Sequence, residues 1–153
     1  MNLCDNDNDI KNNNAINDCF PFAYKLYFHD PYLDDWSENS YCFLHYIKTI
    51  HDYWIINDII KDKLNKGMFF IMKENIFPIW DNEDNKNGGT FSFKILKNNA
   101  GEMWNIICGY VLMDKLYKFG ENNNIRVING LSISPKKDYC IVKIWLSGNG
   151  IKI

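Results

Sequence analysis

Two tryptophans in this chain lie where burial does not explain them. Trp36 sits in the polar stretch HDPYLDDWSENS, and Trp80 in IFPIWDNEDNKNGG. A large apolar ring in a polar loop needs a reason, and loops held by a rigid scaffold often carry binding. Two indoles facing each other across a gap would take a flat, electron-poor ring. A positively charged base between them would gain stacking and cation–π attraction, roughly 1–3 kcal/mol per stacked face. A carboxylate at the edge of that ring would select guanine, accepting from its N1–H and exocyclic amine. Asp81 follows Trp80 directly and is placed for this, with Glu83 as the spare. The same composition also fits two loop tryptophans packed under a sheet edge. Trp104 falls within a helical periodicity and is expected in the core. Trp145 ends an alternating strand and is either core or cavity wall.

The elements that must position these residues follow from the hydrophobic pattern. Residues 24–28 and 41–47 read as strands. Thr49 opens a helix, with Asp52 three residues on forming something close to a capping box. On that helix Ile50, Tyr53, Trp54, Asn57 and Lys61 share one face, and Ile55, Ile56, Ile59 and Ile60 another, so one patch can serve the core and the other a partner. Gly67 ends the region. Residues 68–72 read as a buried strand, Asn87-Gly88-Gly89 as a hairpin signal, and 90–95 as the returning strand. A second helix is expected over 101–118, and a last strand pair over 127–134 and 139–146. This order predicts an α+β fold: a curved, mostly antiparallel sheet with helices on one face.

Composition narrows the function. The 153 residues, 18.1 kDa, are 46% hydrophobic and 16% aromatic, enough for one real core. No apolar run approaches the ~20 residues of a membrane helix. The net charge of −2 excludes nucleic-acid binding by overall charge, so any such binding needs a local site. The five cysteines are scattered and contain no CxxC pair, which argues against zinc and for buried thiols in a reducing compartment. The first residues, MNLCDNDNDIKNNN, lack the basic and apolar segments of a secretory signal. A cytoplasmic protein, or one also in the nucleus, is expected. Residues 1–19, rich in Asn and Asp, are expected to form a disordered arm before a single domain over 20–153.

The stretch from Phe77 to Gly89, FPIWDNEDNKNGG, resembles the signature of the translation initiation factor 4E family, the messenger-RNA cap-binding proteins. That signature reads P-x-W-E-D-x-x-N-x-x-G-G followed by an aromatic residue. The resemblance runs from about Phe20 to Trp145 and takes in Pro21, Tyr24, Tyr27, Trp36, Tyr53, Trp54, Trp104 and Ile144. It implies a cupped antiparallel sheet with helices on the convex face and the cap site on the concave side. It implies that 7-methylguanosine is held between Trp36 and Trp80, with Trp145 near the N7-methyl group and Asp81 reading the guanine edge. It also implies a second surface, around Phe20, Pro21, Ile50 and Trp54, for a helical Tyr-x-x-x-x-Leu-hydrophobic motif of a scaffold 4G-like factor or a 4E-binding repressor. No cofactor, metal or catalytic residue is implied.

The chain departs from the family pattern at identifiable positions. Asp81 stands where the family has Glu. Lys136 takes the place of a phosphate-holding basic residue and keeps the charge without the arginine fork. A second family lysine falls on Ile141. Lys143, two residues on, faces the same side by strand alternation and can compensate. Thr90 follows Gly-Gly where the family often has Arg. On the second helix Asn105 and Gly109 replace expected apolar residues. Three rival functions use overlapping features: a cap-binding repressor that does not recruit the scaffold, a generic RNA-binding domain, and a cap-processing enzyme. The last would need metal-binding carboxylates or an acid–base pair, and His29, His45 and His51 form no triad pattern.

Overall fold

The computed structural model describes residues 18–116 and 127–148. Strand β1 (Cys19–His29) leads through a loop to β2 (Cys42–Thr49), and helix α1 (Ile50–Ile60) follows without a break. Then come β3 (Met68–Lys73), a single turn of helix α2 (Glu83–Lys86), β4 (Gly89–Leu96) and helix α3 (Ala100–Leu112). The hairpin of β5 (Ile128–Pro135) and β6 (Tyr139–Leu146) completes the described chain. The strands form one curved, unclosed sheet in the order β2-β1-β3-β5-β6-β4. Every neighbouring pair is antiparallel. The expected arm over residues 1–19 lies outside the described residues except for Asp18 and Cys19, and Cys19 already opens β1.

Alternation along the strands divides the side chains between two layers. Tyr24 and Leu26 of β1, Phe69 and Ile71 of β3, Leu131 and Ile133 of β5, and Val142 and Ile144 of β6 face the helices. There they meet Tyr53, Ile56 and Ile60 of α1 and Trp104, Ile107, Cys108 and Val111 of α3. Trp104 is fully buried, as its periodicity predicts. The intervening residues turn to the other face, where Tyr27, Phe70, Met72, Ile76 and Trp145 make a second, smaller cluster.

Helix α1 starts as its sequence predicts. The Thr49 side chain accepts from the Asp52 backbone N–H, and the Asp52 carboxylate accepts from the Thr49 N–H, a complete capping box. Its faces divide differently from the expected grouping. The buried residues are Tyr53, Ile56, Asn57 and Ile60, so each expected face is split between core and solvent. A segment apolar nearly all round gives two periodicities, and only contact with the sheet chooses between them. Asn105, unexpectedly polar, accepts the hydroxyl proton of Tyr53 and ties α3 to α1.

Asn87-Gly88-Gly89 does not form a hairpin. Before it lies the α2 turn rather than a strand, and β4 pairs with β6 over its whole length. The glycine is needed for close approach: a Cβ on Gly88 would lie 1.8 Å from the Leu146 carbonyl oxygen. The expected buried thiols are found at Cys108 and Cys140, whereas Cys42 is exposed and Cys19 is disulfide-bonded.

The capping box carries a stability prediction. Thr49→Ala should lower unfolding free energy by about 1 kcal/mol. Asp52→Ala should cost a similar amount, and the double variant less than the sum, because both bonds belong to one motif. Urea denaturation of the three variants measures this; strict additivity would mean that the two bonds act independently.

Candidate functional site

The concave face of the sheet carries a cavity of about 500 Å³. Its floor is laid by the strand residues that alternation turns away from the helices: Met68 and Phe70 of β3, Ser132 and Ser134 of β5, and Ile141, Lys143 and Trp145 of β6. Register places Phe70 opposite Ser132, and Ser132 opposite Lys143. Gly130 pairs with Trp145 and with Met72. The Trp145 indole N–H donates to Ser132 Oγ at 3.1 Å, which fixes the orientation of that ring on the floor.

One wall is the loop between β1 and β2. Asp35 Oδ1 accepts from the Ser37 backbone N–H at 2.9 Å, a local turn that also holds the Asp35 carboxyl below its usual range. Behind Trp36 lies His29, fully buried at the end of β1. The two rings are stacked with centroids 4.1 Å apart and planes within 1°. His29 Nε2 is 2.7 Å from the Asp35 carbonyl oxygen, so the same ring also braces the loop backbone. Tyr41 packs edge-on against Trp36, Phe70 and Phe77. Burial pushes its phenol up to about 12, so the hydroxyl stays neutral.

The other wall is the segment from Ile76 to Asn82. It has no strand partner, so side chains must fix it. Asn85, almost fully buried, donates to the carbonyls of Phe77 (3.0 Å) and Ile79 (2.9 Å). Asn129 of β5 donates in turn to Asn85 Oδ1 and to the Asp84 carbonyl, both at 2.9 Å. Two asparagines thus tie the Trp80 loop to the sheet. Trp80 stacks on Trp145 at 4.6 Å and 25°, and Lys143 Nζ lies 6.0 Å from the Trp80 ring centre.

All six residues singled out on this face, Trp36, Trp80, Asp81, Lys136, Lys143 and Trp145, line the one cavity. Asp81 does so and Glu83 does not; Glu83 instead begins α2. Trp36 is 48% exposed and Trp80 51%, and each has one face backed by another ring. Such rings are pre-positioned platforms rather than packed core. Sequence reading missed His29, Tyr41, Ser132 and Ser134. The serines were within reach, because they alternate with Leu131 and Ile133. His29 stacking on a residue in a loop leaves no periodic signal. Among the described residues no cluster of three or more His, Cys, Asp or Glu side chains could hold a metal.

The convex side shows a second candidate surface. Trp54 is 54% exposed, so it is not core. Ile50 is half-buried at the start of α1, and its N–H bonds to the Asp18 carbonyl. Cys19 pairs with Thr49, which brings Phe20 and Pro21 beside that helix start. Pro21 is exposed, while Phe20 packs against the core rim. On α3, Met103, Ile106 and Tyr110, with Met113 just past its end, add an exposed apolar stripe at helical spacing. Gly109 lies open within it, with nothing within 4 Å of where its Cβ would be.

The family model described as eukaryotic initiation factor 4E matches residues 20–150. A curated relative, the eukaryotic translation initiation factor 4E homolog of Acanthamoeba polyphaga mimivirus, is 34% identical over 78 residues. That match covers 51% of this chain but only 28% of the relative's length. Among solved structures, Ascaris suum eIF4E-3 with m7G cap superimposes with a TM-score of 0.70 at 17% identity, over 84% of this chain and 73% of that one. Schistosome eIF4E, solved with m7GpppA and 4E-BP, gives 0.71 at 16% identity, over 84% and 71%. C. elegans eIF4E-3, solved with the 4E-binding protein Mextli, gives 0.69 at 15% identity, over 84% and 75%. At these identities the structural likeness is one of fold.

The asparagine tie generates a prediction about the loop. Asn85→Ala removes both bonds to the Trp80 loop and one to Asn129, and should cost roughly 2–4 kcal/mol. Asn129→Ala should cost less, about 1–3 kcal/mol, and the pair should couple in a double-mutant cycle. Denaturant unfolding followed by tryptophan fluorescence is the measurement, and a cycle with no coupling would break the proposed link.

Proposed function

The chain belongs to the eukaryotic initiation factor 4E family, and from that premise we propose that it binds the 7-methylguanosine cap of messenger RNA in the concave cavity. The observation that supports this most is the composition of one cavity: two half-exposed indoles, each backed by a second ring, with Asp81 and two lysines in the same lining. Methylation at N7 makes guanine a cation, which is what stacked indoles favour over the neutral base. Lys143 near the Trp80 ring already puts a positive charge at such a face. Asp81 accepts from the N1–H and amine of guanine, and Lys136 and Lys143 take the phosphates.

The reading extends to the convex side, where Trp54 and Ile50 with Phe20 and Pro21 receive a helical segment of a 4G-like scaffold or of a 4E-binding repressor. The exposed stripe of α3, a helix tied to α1 through Tyr53 and Asn105, is a second apolar patch on that side. The activating role is the proposal, and a repressor that keeps the cap site without recruiting the scaffold is the alternative. The neighbours solved with 4E-BP and with Mextli support a protein partner without choosing between these roles. The chain acts as a binding module rather than an enzyme, at work in the cytoplasm. Incubation with capped RNA should release no cap fragments by mass spectrometry.

Titration with cap analogues should quench tryptophan fluorescence, and 7-methyl-GTP should bind far more tightly than GTP. Equal affinity for the two would remove the basis of the proposal. Trp36→Ala and Trp80→Ala should abolish binding and leave the fold intact, since both residues sit in loops. Asp81→Asn keeps the shape but turns a donor toward the donors of guanine, and should cost roughly 2–4 kcal/mol of affinity. Asp81→Glu should be tolerated or improve binding. Normal binding by Asp81→Asn together with loss in Glu83→Gln would move the guanine reader to Glu83.

Trp54→Ala should abolish capture of a Tyr-x-x-x-x-Leu-hydrophobic peptide and leave cap affinity unchanged. Peptide affinity equal to that of the unaltered protein would place the partner surface elsewhere.

A further inference from the structure

The floor of the cavity has an apolar gap at Ile141, between the two lysines assigned to phosphate. The neighbouring strand supplies a cation beside that gap. Register pairs Thr90 with Trp145, Ser92 with Lys143, and Lys94 with Ile141. Phe93 and Ile95 of β4 face the helices, so alternation turns Thr90, Ser92 and Lys94 to the concave side. Lys94 is exposed and lies just outside the residues that line the cavity. Its Nζ sits 4.6 Å from the ring centre of Tyr139, the β6 residue two before Ile141. Among the described residues the sole ion pair is Lys61 with Asp58, so Lys94 has no carboxylate partner there. Tyr139 holds the ammonium at the rim without neutralising it.

We propose that Lys94, with the hydroxyls of Thr90 and Ser92, forms an exit track for the RNA backbone beyond the cap. The inference rests on the cap-binding reading of the cavity. Residues two apart on a strand are about 7 Å apart, and adjacent strands about 4.8 Å. A phosphate chain held by Lys143 therefore needs to cross only one strand to reach Ser92 and then Lys94. Thr90 and Ser92 are close enough to act together, with their hydroxyl oxygens 3.4 Å apart. The track is made of one charge and two neutral donors, so its effect is on the salt-dependent affinity for the chain that follows the cap and not on recognition of the base.

The test compares 7-methyl-GMP with a capped ten-nucleotide RNA on the full chain, at several salt concentrations. Lys94→Ala should leave 7-methyl-GMP affinity within twofold. It should weaken the capped RNA three- to tenfold at low salt and reduce the salt slope by about one. Lys94→Arg should retain most of the wild-type affinity for capped RNA. If Lys94→Ala binds capped RNA with unchanged affinity and slope, the track is wrong and the cap site stands. An equal loss for both ligands would also overturn it, since Lys94 would then act on the base pocket. No preference of the unaltered chain for the methylated cap would remove the cap-binding reading, and the track with it.

Discussion

A residue on an antiparallel strand can face only one side of its sheet, and in this protein both sides are in use. The helices require every second residue of β1, β3, β5 and β6 for the core. The remaining positions form the concave floor, and what they carry decides what that face can hold. Toward β1 and β3 they include Tyr27, Phe70 and Met72, which close over one another as the second cluster. Toward β5 and β6 Trp145 is the last ring of that cluster, and beyond it come Ser132, Ser134, Ile141 and Lys143, which leave the face open. The cavity is the region where the second layer of the core stops.

The walls obey a different constraint. Neither tryptophan loop belongs to the sheet, so neither inherits its rigidity from a ladder of backbone bonds. Each is held by one buried polar side chain that bonds loop carbonyls: His29 for the Trp36 loop, and Asn85, backed by Asn129, for the Trp80 loop. Each indole is then held flat against a second ring. A side chain positioned in this way loses little freedom when a planar ligand arrives, which lowers the entropy cost of binding.

The sequence was legible where a period could be read and less so where one could not. Strand alternation predicted the strands and placed Lys143 on the same side as Ile141 and Trp145. The capping box at Thr49 predicted the start of α1, because its two bonds lie within four residues. The phase of α1 was not legible, since the run from Tyr53 to Ile60 is apolar on almost every side. Nor was the pairing of β4. Asn-Gly-Gly is a local hairpin signal, but β4 found its partner some fifty residues later in β6, and the glycine served a close backbone contact. Of the six cavity residues, the loop tryptophans pointed to Trp36, Trp80 and Asp81, whereas Lys136, Lys143 and Trp145 were reached through the family resemblance and strand alternation. The residues that hold them, His29 and Asn129, were missed because a residue supporting another leaves no spacing of its own.

The departures from the family pattern share a direction. Asp81 shortens the acid arm, Lys136 replaces a bidentate fork with a point charge, and Ile141 removes a cation from the floor. Each change weakens a directional contact and leaves the stacking surfaces in place. Affinity in such a site shifts from hydrogen-bond geometry toward ring stacking and diffuse charge. The lysines then matter through their number and position along β6 and β4 more than through any single bond. A sheet edge suits that purpose, because each strand turns alternate side chains toward the cavity at a fixed step and the adjacent strand continues the row. Thr90, Ser92 and Lys94 continue the rows that begin at Trp145, Lys143 and Ile141. The same pleat that separates core from cavity thus sets the spacing of the polar side chains along these rows.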